Sequence, residues 1–311
     1  MRETATAFAP ASIGNVGPGF DVLGLAVDGI GDRVTVTLTK RESRVEGVFG
    51  RDSSLVPLNP ARNCAAIAAN AYLQPYGFRA IVSIDKGMPL AGGMGGSAAS
   101  SVAGAYAAGL ALGQAPNSRD VLAAALEGEA ALSGRHIDNI APSTVGGLAL
   151  SRSVDPIDVI KLPVAADWWI ALVTPNVRIR TKEARALLPE LTERATWIQQ
   201  MANTTALAHA FGIGDGALLG RALDDRYAEP KRAPLIPHFY EMKQAALDAG
   251  AFGCSISGSG PTIFAIAPDE ATARACTEAM ERAFGDAVMK HVGAIAKEGV
   301  RPERGIDDDE R

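Results

Sequence analysis

At 311 residues the chain exceeds a usual single domain, and 47% hydrophobic with 21% charged residues is ordinary for a globular protein. A net charge of −5 argues against nucleic acid as the main partner, since phosphate backbones select for basic faces. No apolar run approaches the ~20 residues of a membrane span, and the opening MRETATAFAPASIG lacks the apolar region of a signal peptide, so a cytoplasmic protein with no membrane partner is expected.

Alternation predicts strands at Thr4–Pro10, Arg33–Leu38 and Arg79–Asp85. Ala-rich helices are expected at Asn63–Leu73 and Ser97–Leu112, and a third at Arg119–Leu132 with acids at Glu127 and Glu129. Gly146–Ser151 and Val159–Leu162 read as strands that close a first half, and the apolar Trp168–Thr174 opens a second. Helices follow at Trp197–Phe211, His238–Ala249 and Glu270–Phe284, with strands Phe252–Ile256 and Thr262–Ala267 between the last two. Pro156 and Pro163 interrupt the pattern across Asp155–Ala166. Domains at 1–160 and 161–296 follow, with a polar tail from Lys297 to Arg311 expected to be disordered. Cys64, Cys254 and Cys276, an odd number with no CxxC pair, read as reduced structural thiols.

Much of the excess of glycine, 33 residues, sits in three stretches. Pro89-Leu-Ala-Gly-Gly-Met-Gly-Gly-Ser-Ala-Ala99 follows a strand and runs into a helix of small residues. Such a loop lets the main chain approach a ligand, and its N–H groups with the helix N-terminus can converge on an anion. It lacks the Lys-Ser/Thr ending of a P-loop and the third glycine of a dinucleotide fingerprint. Phosphate binding and a plain turn both fit it. The stretch Ala9–Gly24 leaves Asn15 and Asp21 free to face a ligand; the plainer reading has Asp21 capping a helix from Val22. The third, Ser255–Thr262, reads by itself as a hairpin turn.

In this order the three stretches resemble the GHMP superfamily of small-molecule kinases, and the resemblance runs to about Phe284. The middle loop is similar to the superfamily's Pro-x-x-x-Gly-Leu-Gly-Ser-Ser-Ala, with Met94 for Leu and Gly96 for the first Ser. ASIGNVGPGFDVLGLAVD is similar to the opening of the homoserine kinase branch, as are SGRHIDNIAPSTVGG at Ser133–Gly147, TKEARALLP at Thr181–Pro189 and EPKRAPLIP at Glu229–Pro237.

The resemblance implies an α+β protein of two domains. The first would be like the second domain of ribosomal protein S5, the second ferredoxin-like, with the active site in the cleft between them. It implies ATP and Mg2+, L-homoserine as the small-molecule substrate, and a homodimer is the accompanying expectation. ATP would be held by Pro89, Leu90, Ala91, Gly92, Gly93, Met94, Gly95, Gly96, Ser97, Ala98 and Ala99, and Mg2+ by Ser97 and Glu129. Glu127, about 200° around the helix from Glu129, could not readily share that ion. Asn63 would contact adenine or cap its helix. The substrate pocket would comprise Asn15, Asp21, His136, Arg185 and Arg232: forked guanidinium donors suit an α-carboxylate, and Asp21 with Asn15 suits an α-ammonium. The catalytic set would be Asn139, Glu129 and Ser97. Asn139 cannot take a proton at neutral pH and would orient the hydroxyl for direct attack, with Asp138 the rival base. The alternatives are another GHMP kinase acting on a different alcohol, or a non-catalytic protein of the same fold.

Overall fold

The computed structural model describes residues 3–132, 134–285 and 287–303. The first half begins with a long antiparallel pair, β1 (Thr4–Gly14) and β2 (Leu23–Thr39), followed by β3 (Arg44–Gly50), helix α1 (Cys64–Leu73) and β4 (Arg79–Lys86). Helices α2 (Gly96–Ala111), α3 (Ser118–Ala130) and α4 (Ile140–Val145) come next, then the hairpin β5 (Leu148–Val154) and β6 (Ile157–Leu162). Among the described residues these strands form one sheet in the order β11-β1-β2-β4-β3, where β11 is Arg301–Glu303, and β5 pairs with both β2 and β6.

The second half contains β7 (Trp169–Pro175), α5 (Thr181–Ala186), α6 (Arg194–Ile213), α7 (Gly216–Ala222), α8 (Glu229–Arg232), α9 (Phe239–Asp248), β8 (Gly253–Ile256), β9 (Ile263–Ala267), α10 (Glu270–Phe284) and β10 (Ala287–Ala294). Its sheet runs β10-β7-β9-β8, antiparallel throughout. Read in chain order, strands β7, β8, β9 and β10 with α9 and α10 packed on them give the ferredoxin-like arrangement. The α+β, two-part architecture is the one the motifs implied.

The core explains the composition. Helix α2 buries twelve of its sixteen residues, mostly Ala, because it lies between β1–β2 and the helices α1 and α3. Small side chains allow that close packing. A second cluster, with Val173, Ile179, Phe239, Met242, Ile263 and Met280, lies between the second sheet and α9–α10. Within the second half, the Trp168 indole meets Phe211 and Phe252 edge-on at 5.3 and 5.6 Å.

Some expectations need correction. No helix starts at Val22; Leu23 opens β2. Strand β1 continues past Pro10 to Gly14, and its register with β2 shifts between Pro10 and Ala11, the irregularity that a residue without an N–H imposes. The tail is ordered beyond Lys297: Arg301–Glu303 pairs antiparallel with Thr6–Phe8, anchored by the Arg33–Glu303 ion pair at 2.5 Å. The rest of that tail, 304–311, lies outside the described residues, as does Ser133 of the SGRHIDNIAPSTVGG stretch. All three cysteines are free thiols. Burial pushes Cys64 up to about 11 and raises Cys254 and Cys276 as well, so none is a ready thiolate at neutral pH.

Candidate active site

A cleft runs between the halves. The first half lines it with Asn15, Asp21, Lys86, the loop from Pro89 to Ser97 apart from Met94, Glu129, His136, Asp138 and Asn139; the second contributes Thr181, Arg185, Arg232, Gly258 and Ser259. Two of its loops contain non-glycine residues with left-handed backbone angles: Asn15 (φ 69°), Val16 (φ 50°), Asp21 (φ 59°) and Ala91 (φ 56°). Such conformations cost roughly 1–3 kcal/mol each and cluster where a loop is shaped for a ligand.

The loop Pro89–Gly95 joins β4 to α2 and is gripped from the second half. Ser257 Oγ donates to the Gly93 carbonyl at 2.7 Å, and Thr262 donates to the Gly92 carbonyl from Oγ1 at 2.5 Å and from N at 3.1 Å. The Ser12 N–H donates to the Met94 carbonyl at 3.1 Å from β1. The Ser255–Thr262 turn is thus a brace for this loop as well as a strand connection. Held this way, Gly95, Gly96 and Ser97 at the start of α2 line the cleft, at the end of a helix whose first N–H groups have no intrahelical partner and carry its positive charge.

On that turn Ser97 Oγ donates to Glu129 Oε2 at 2.7 Å. Glu129 is buried, whereas Glu127 points to solvent and pairs with Arg135 at 3.1 Å. The two acids face opposite ways, as the helical spacing required.

Across the cleft, Arg185 on α5 donates from Nη1 and Nη2 to Oδ2 and Oδ1 of Asp21, at 2.9 and 2.7 Å. His136 Nδ1 lies 3.8 Å from Asp21 Oδ2. Burial, then the Arg185 charge, lowers the His136 pKa against the opposing pull of Asp21. The imidazole is therefore neutral at pH 7.

Arg232 is 3% exposed. Its Nη1 donates to the Gly258 carbonyl at 2.8 Å, and among the described residues no carboxylate lies within ion-pair distance. The Nε atoms of Arg185 and Arg232 are both buried without a partner. Two orphaned donors on guanidinium groups facing one cleft are a site prepared for an anion. Helix α8, which holds Arg232, is itself fixed by Asp225, whose carboxylate accepts from the N–H groups of Tyr227, Ala228 and Glu229 at 2.8, 3.0 and 2.8 Å. Asn15 is less free than expected. Its Oδ1 accepts the Asp21 N–H at 3.1 Å and its Nδ2 donates to the Gly258 carbonyl at 3.2 Å, so it shapes the pocket wall.

At the start of α4, Asn139 Oδ1 accepts from Ser12 Oγ at 3.0 Å, and its Nδ2 lies 3.4 Å from Asp138 Oδ2. Asp138 is buried, and desolvation, followed by repulsion from Asp21 and Glu129, raises its pKa to about 7.

Of the loop residues expected at the nucleotide, Met94, Ala98 and Ala99 have side chains buried in the core beneath the loop, as spacings of four and five residues put them on the inward face of the turn. Asn63 is a helix cap. Its Oδ1 accepts the Ala66 N–H at 3.2 Å and its Nδ2 donates to the Pro57 carbonyl at 2.9 Å. At 1% exposure, and away from the residues that line the cleft, its side chain is closed off from a ligand there. Lys86, Thr181 and Ser259 line the cleft and were missed. Thr181 opens the quoted segment TKEARALLP and Ser259 sits in the third glycine stretch, so the signal for both was present.

Residues 61–147 match the GHMP kinases N terminal domain and residues 205–287 the GHMP kinases C terminal family. With the braced glycine loop and the shared cleft, this identifies the class: the chain belongs to the GHMP kinases. It is 39% identical to the homoserine kinase of Chlorobium phaeobacteroides (strain BS1), covering 96% of this chain and 99% of that one. It is 42% identical to the homoserine kinase of Arabidopsis thaliana, covering 93% of this chain and 81% of that one. The crystal structure of homoserine kinase from Cytophaga hutchinsonii superposes with a TM-score of 0.91 at 39% identity, over 97% of this chain and 98% of that one. Within the class, the chain belongs to the homoserine kinase family. Mevalonate kinase of L. major, at 14% identity and a TM-score of 0.71, shares the fold.

Proposed function

We infer that the protein transfers the γ-phosphoryl group of ATP to the side-chain hydroxyl of L-homoserine, giving O-phospho-L-homoserine and ADP, a step of threonine biosynthesis. The observation that supports the substrate most directly is the pair of guanidinium groups, Arg185 and Arg232, with buried unpartnered Nε donors beside Asp21. A zwitterionic amino acid offers the complementary charges: its carboxylate to the guanidinium groups, its ammonium to Asp21. An alcohol substrate without an ammonium would leave Asp21 without that role.

Phosphoryl transfer depends on alignment and charge neutralisation more than on covalent help. The α2 amides and the braced loop hold the phosphates. The Ser97 hydroxyl and the Glu129 carboxylate are hard oxygen donors in contact, and one carboxylate beside substrate phosphates suits Mg2+. Bound there, the ion would neutralise charge on the phosphate oxygens. Asn139, fixed by Ser12, orients the homoserine hydroxyl, whose oxygen bonds to the γ-phosphorus as the bond to ADP breaks. The hydroxyl proton leaves with the phosphoryl group or to solvent.

The reading includes residues 1–160 as the ATP-binding domain and 161–296 as its partner, in a cytoplasmic homodimer without nucleic-acid or membrane partners. The net charge of −5 supports the exclusion of nucleic acid. Among the described residues no helix is long and apolar enough to cross a membrane. A coupled ADP-release assay on homoserine, threonine, serine, mevalonate and galactose tests the function. Turnover dominated by homoserine is expected; turnover dominated by mevalonate or galactose, or none at all, would overturn it.

A further inference from the structure

Beneath the glycine loop lies a buried polar knot that the chemistry above does not use. Asp32 on β2 is fully buried and Lys86, the last residue of β4, is 5% exposed. They are direct cross-strand partners, and their side chains form an ion pair. The Lys86 ammonium also donates to the Gly96 carbonyl and to Ser100 Oγ, each at 3.0 Å. Ser100 Oγ donates in turn to Asp32 Oδ2 at 2.6 Å, while Asp32 Oδ1 accepts the Gly87 N–H at 3.1 Å. An ammonium has three N–H donors, and all three are engaged. Although Lys86 borders the cleft, it keeps no donor for a phosphate.

The places tied together are the two ends of one loop. Gly87 is where the chain leaves β4, and Gly96 and Ser100 belong to the first turns of α2. One carboxylate and one ammonium hold the start of the loop against its finish. Burying such a pair is a poor source of stability, because apolar groups of similar volume often serve as well or better. What apolar packing cannot supply is a fixed, directional link between Gly87 and Gly96.

We propose that Asp32, Lys86 and Ser100 are positioning residues for the kinase reaction. They close the base of the ATP loop and so set where the α2 amides and Ser97 point. The proposal rests on the kinase reading. It differs from a stabilising role in what it affects: nucleotide affinity should depend on the network, with fold stability and the homoserine pocket nearly independent of it.

The test is the double variant Asp32→Asn/Lys86→Met, which keeps an acceptor for the Gly87 N–H and removes both buried charges together. Ser100→Ala serves as a second variant that leaves the ion pair in place. Calorimetry with a non-hydrolysable ATP analogue, thermal melting and steady-state kinetics are measured for each. The double variant is expected to melt within a few degrees of the wild type, yet bind the analogue about tenfold or more weakly, the scale of a sub-ångström misplacement. Its KM for ATP should rise in step while that for homoserine stays within about twofold. Ser100→Ala should show the same pattern to a smaller extent. Wild-type analogue affinity in either folded variant overturns the proposal, as does an equal loss of homoserine affinity. Should the double variant fail to fold, Ser100→Ala decides by the same criteria. A wild-type protein that binds no nucleotide would instead bring down the kinase reading itself.

Discussion

Arg185 and Asp21 hold each other through two hydrogen bonds, Nη1 to Oδ2 at 2.9 Å and Nη2 to Oδ1 at 2.7 Å, across the cleft that separates the two halves. Each charge is the complement of one end of an amino acid. The two charges pair with each other, and a zwitterion can extend that pairing by presenting its ammonium to Asp21 and its carboxylate to Arg185 and Arg232. Phe20 lies beside both guanidinium groups, with ring centroid distances of 5.2 and 5.4 Å, and limits where they can go.

Arg185→Ala and Arg232→Ala should each raise KM for homoserine about 10- to 150-fold, from the ~1.5–3 kcal/mol of a hydrogen bond to a charged group, with ATP affinity nearly intact. Their stabilities should part. Arg185→Ala strands the Asp21 carboxylate and should lower Tm, whereas Arg232→Ala removes a buried charge without a carboxylate partner and should leave Tm level or raise it. Calorimetric titration and thermal melting check both halves. An equal fall in ATP affinity would move these residues out of the substrate pocket.

Ser97→Ala and Glu129→Ala should each lower kcat and shift the Mg2+ requirement upward. Glu127→Ala should do neither, because Glu127 is exposed and paired with Arg135 while Glu129 accepts from Ser97. A Mg2+ titration of the three variants is the measurement. Damage confined to Glu127→Ala would reverse the assignment.

Neighbouring glycines of the ATP loop should respond in opposite ways. Gly95 has φ +67° and a Cβ there would stand 2.1 Å from Ser12 Oγ, so Gly95→Ala should abolish nucleotide binding. A Cβ at Gly96 meets nothing nearer than Lys86 Nζ at 3.5 Å. Gly96→Ser should fold with stability within about 0.5 kcal/mol of the wild type and retain activity. Urea denaturation with an ADP-release assay tests both variants; a collapsed Gly96→Ser would contradict the space seen around that position.

How much of this was legible depends on how local each cause is. Helix α10 was readable to the residue, Glu270–Phe284, since Asp269 caps it and Gly285 ends it. The edge strands β3 and β11 were not: RVEGVFG and RPE contain charge, glycine and proline, which edges tolerate and central strands do not. In the site, Asp21, Arg185 and Arg232 came from motif resemblance, and the fold then brought them together from distant segments. Lys86 gave no signal. It falls one residue past the predicted strand Arg79–Asp85, and only the β2–β4 register sets it opposite Asp32; register is a tertiary fact. Asn63 carried two readings, adenine contact or helix cap, and the structure shows the local one, an N-cap that accepts the Ala66 N–H.

The last prediction concerns Asp138, whose carboxyl burial raises from 3.8 to about 7. A carboxyl with a raised folded pKa contributes its stability while neutral. That contribution is complete below about pH 4 and is lost as pH rises through 7. Asp138→Asn should therefore stabilise the ligand-free protein at pH 8, by on the order of 4 kcal/mol at most, and should add little at pH 4. Urea denaturation at the two pH values reads the difference. The same variant decides the chemistry. If Asn139 orients the hydroxyl and attack is direct, Asp138→Asn keeps substantial kcat and the acid limb of its pH profile is unchanged. A general base at Asp138 predicts a loss of about 10²- to 10⁴-fold in kcat and disappearance of that limb. A role in holding His136 or α4 predicts a higher KM with kcat preserved. Direct attack is the expected outcome, because a loose phosphoryl-transfer transition state gains little from early proton removal. A folded Asp138→Asn with normal KM and turnover slowed roughly thousandfold would sink it.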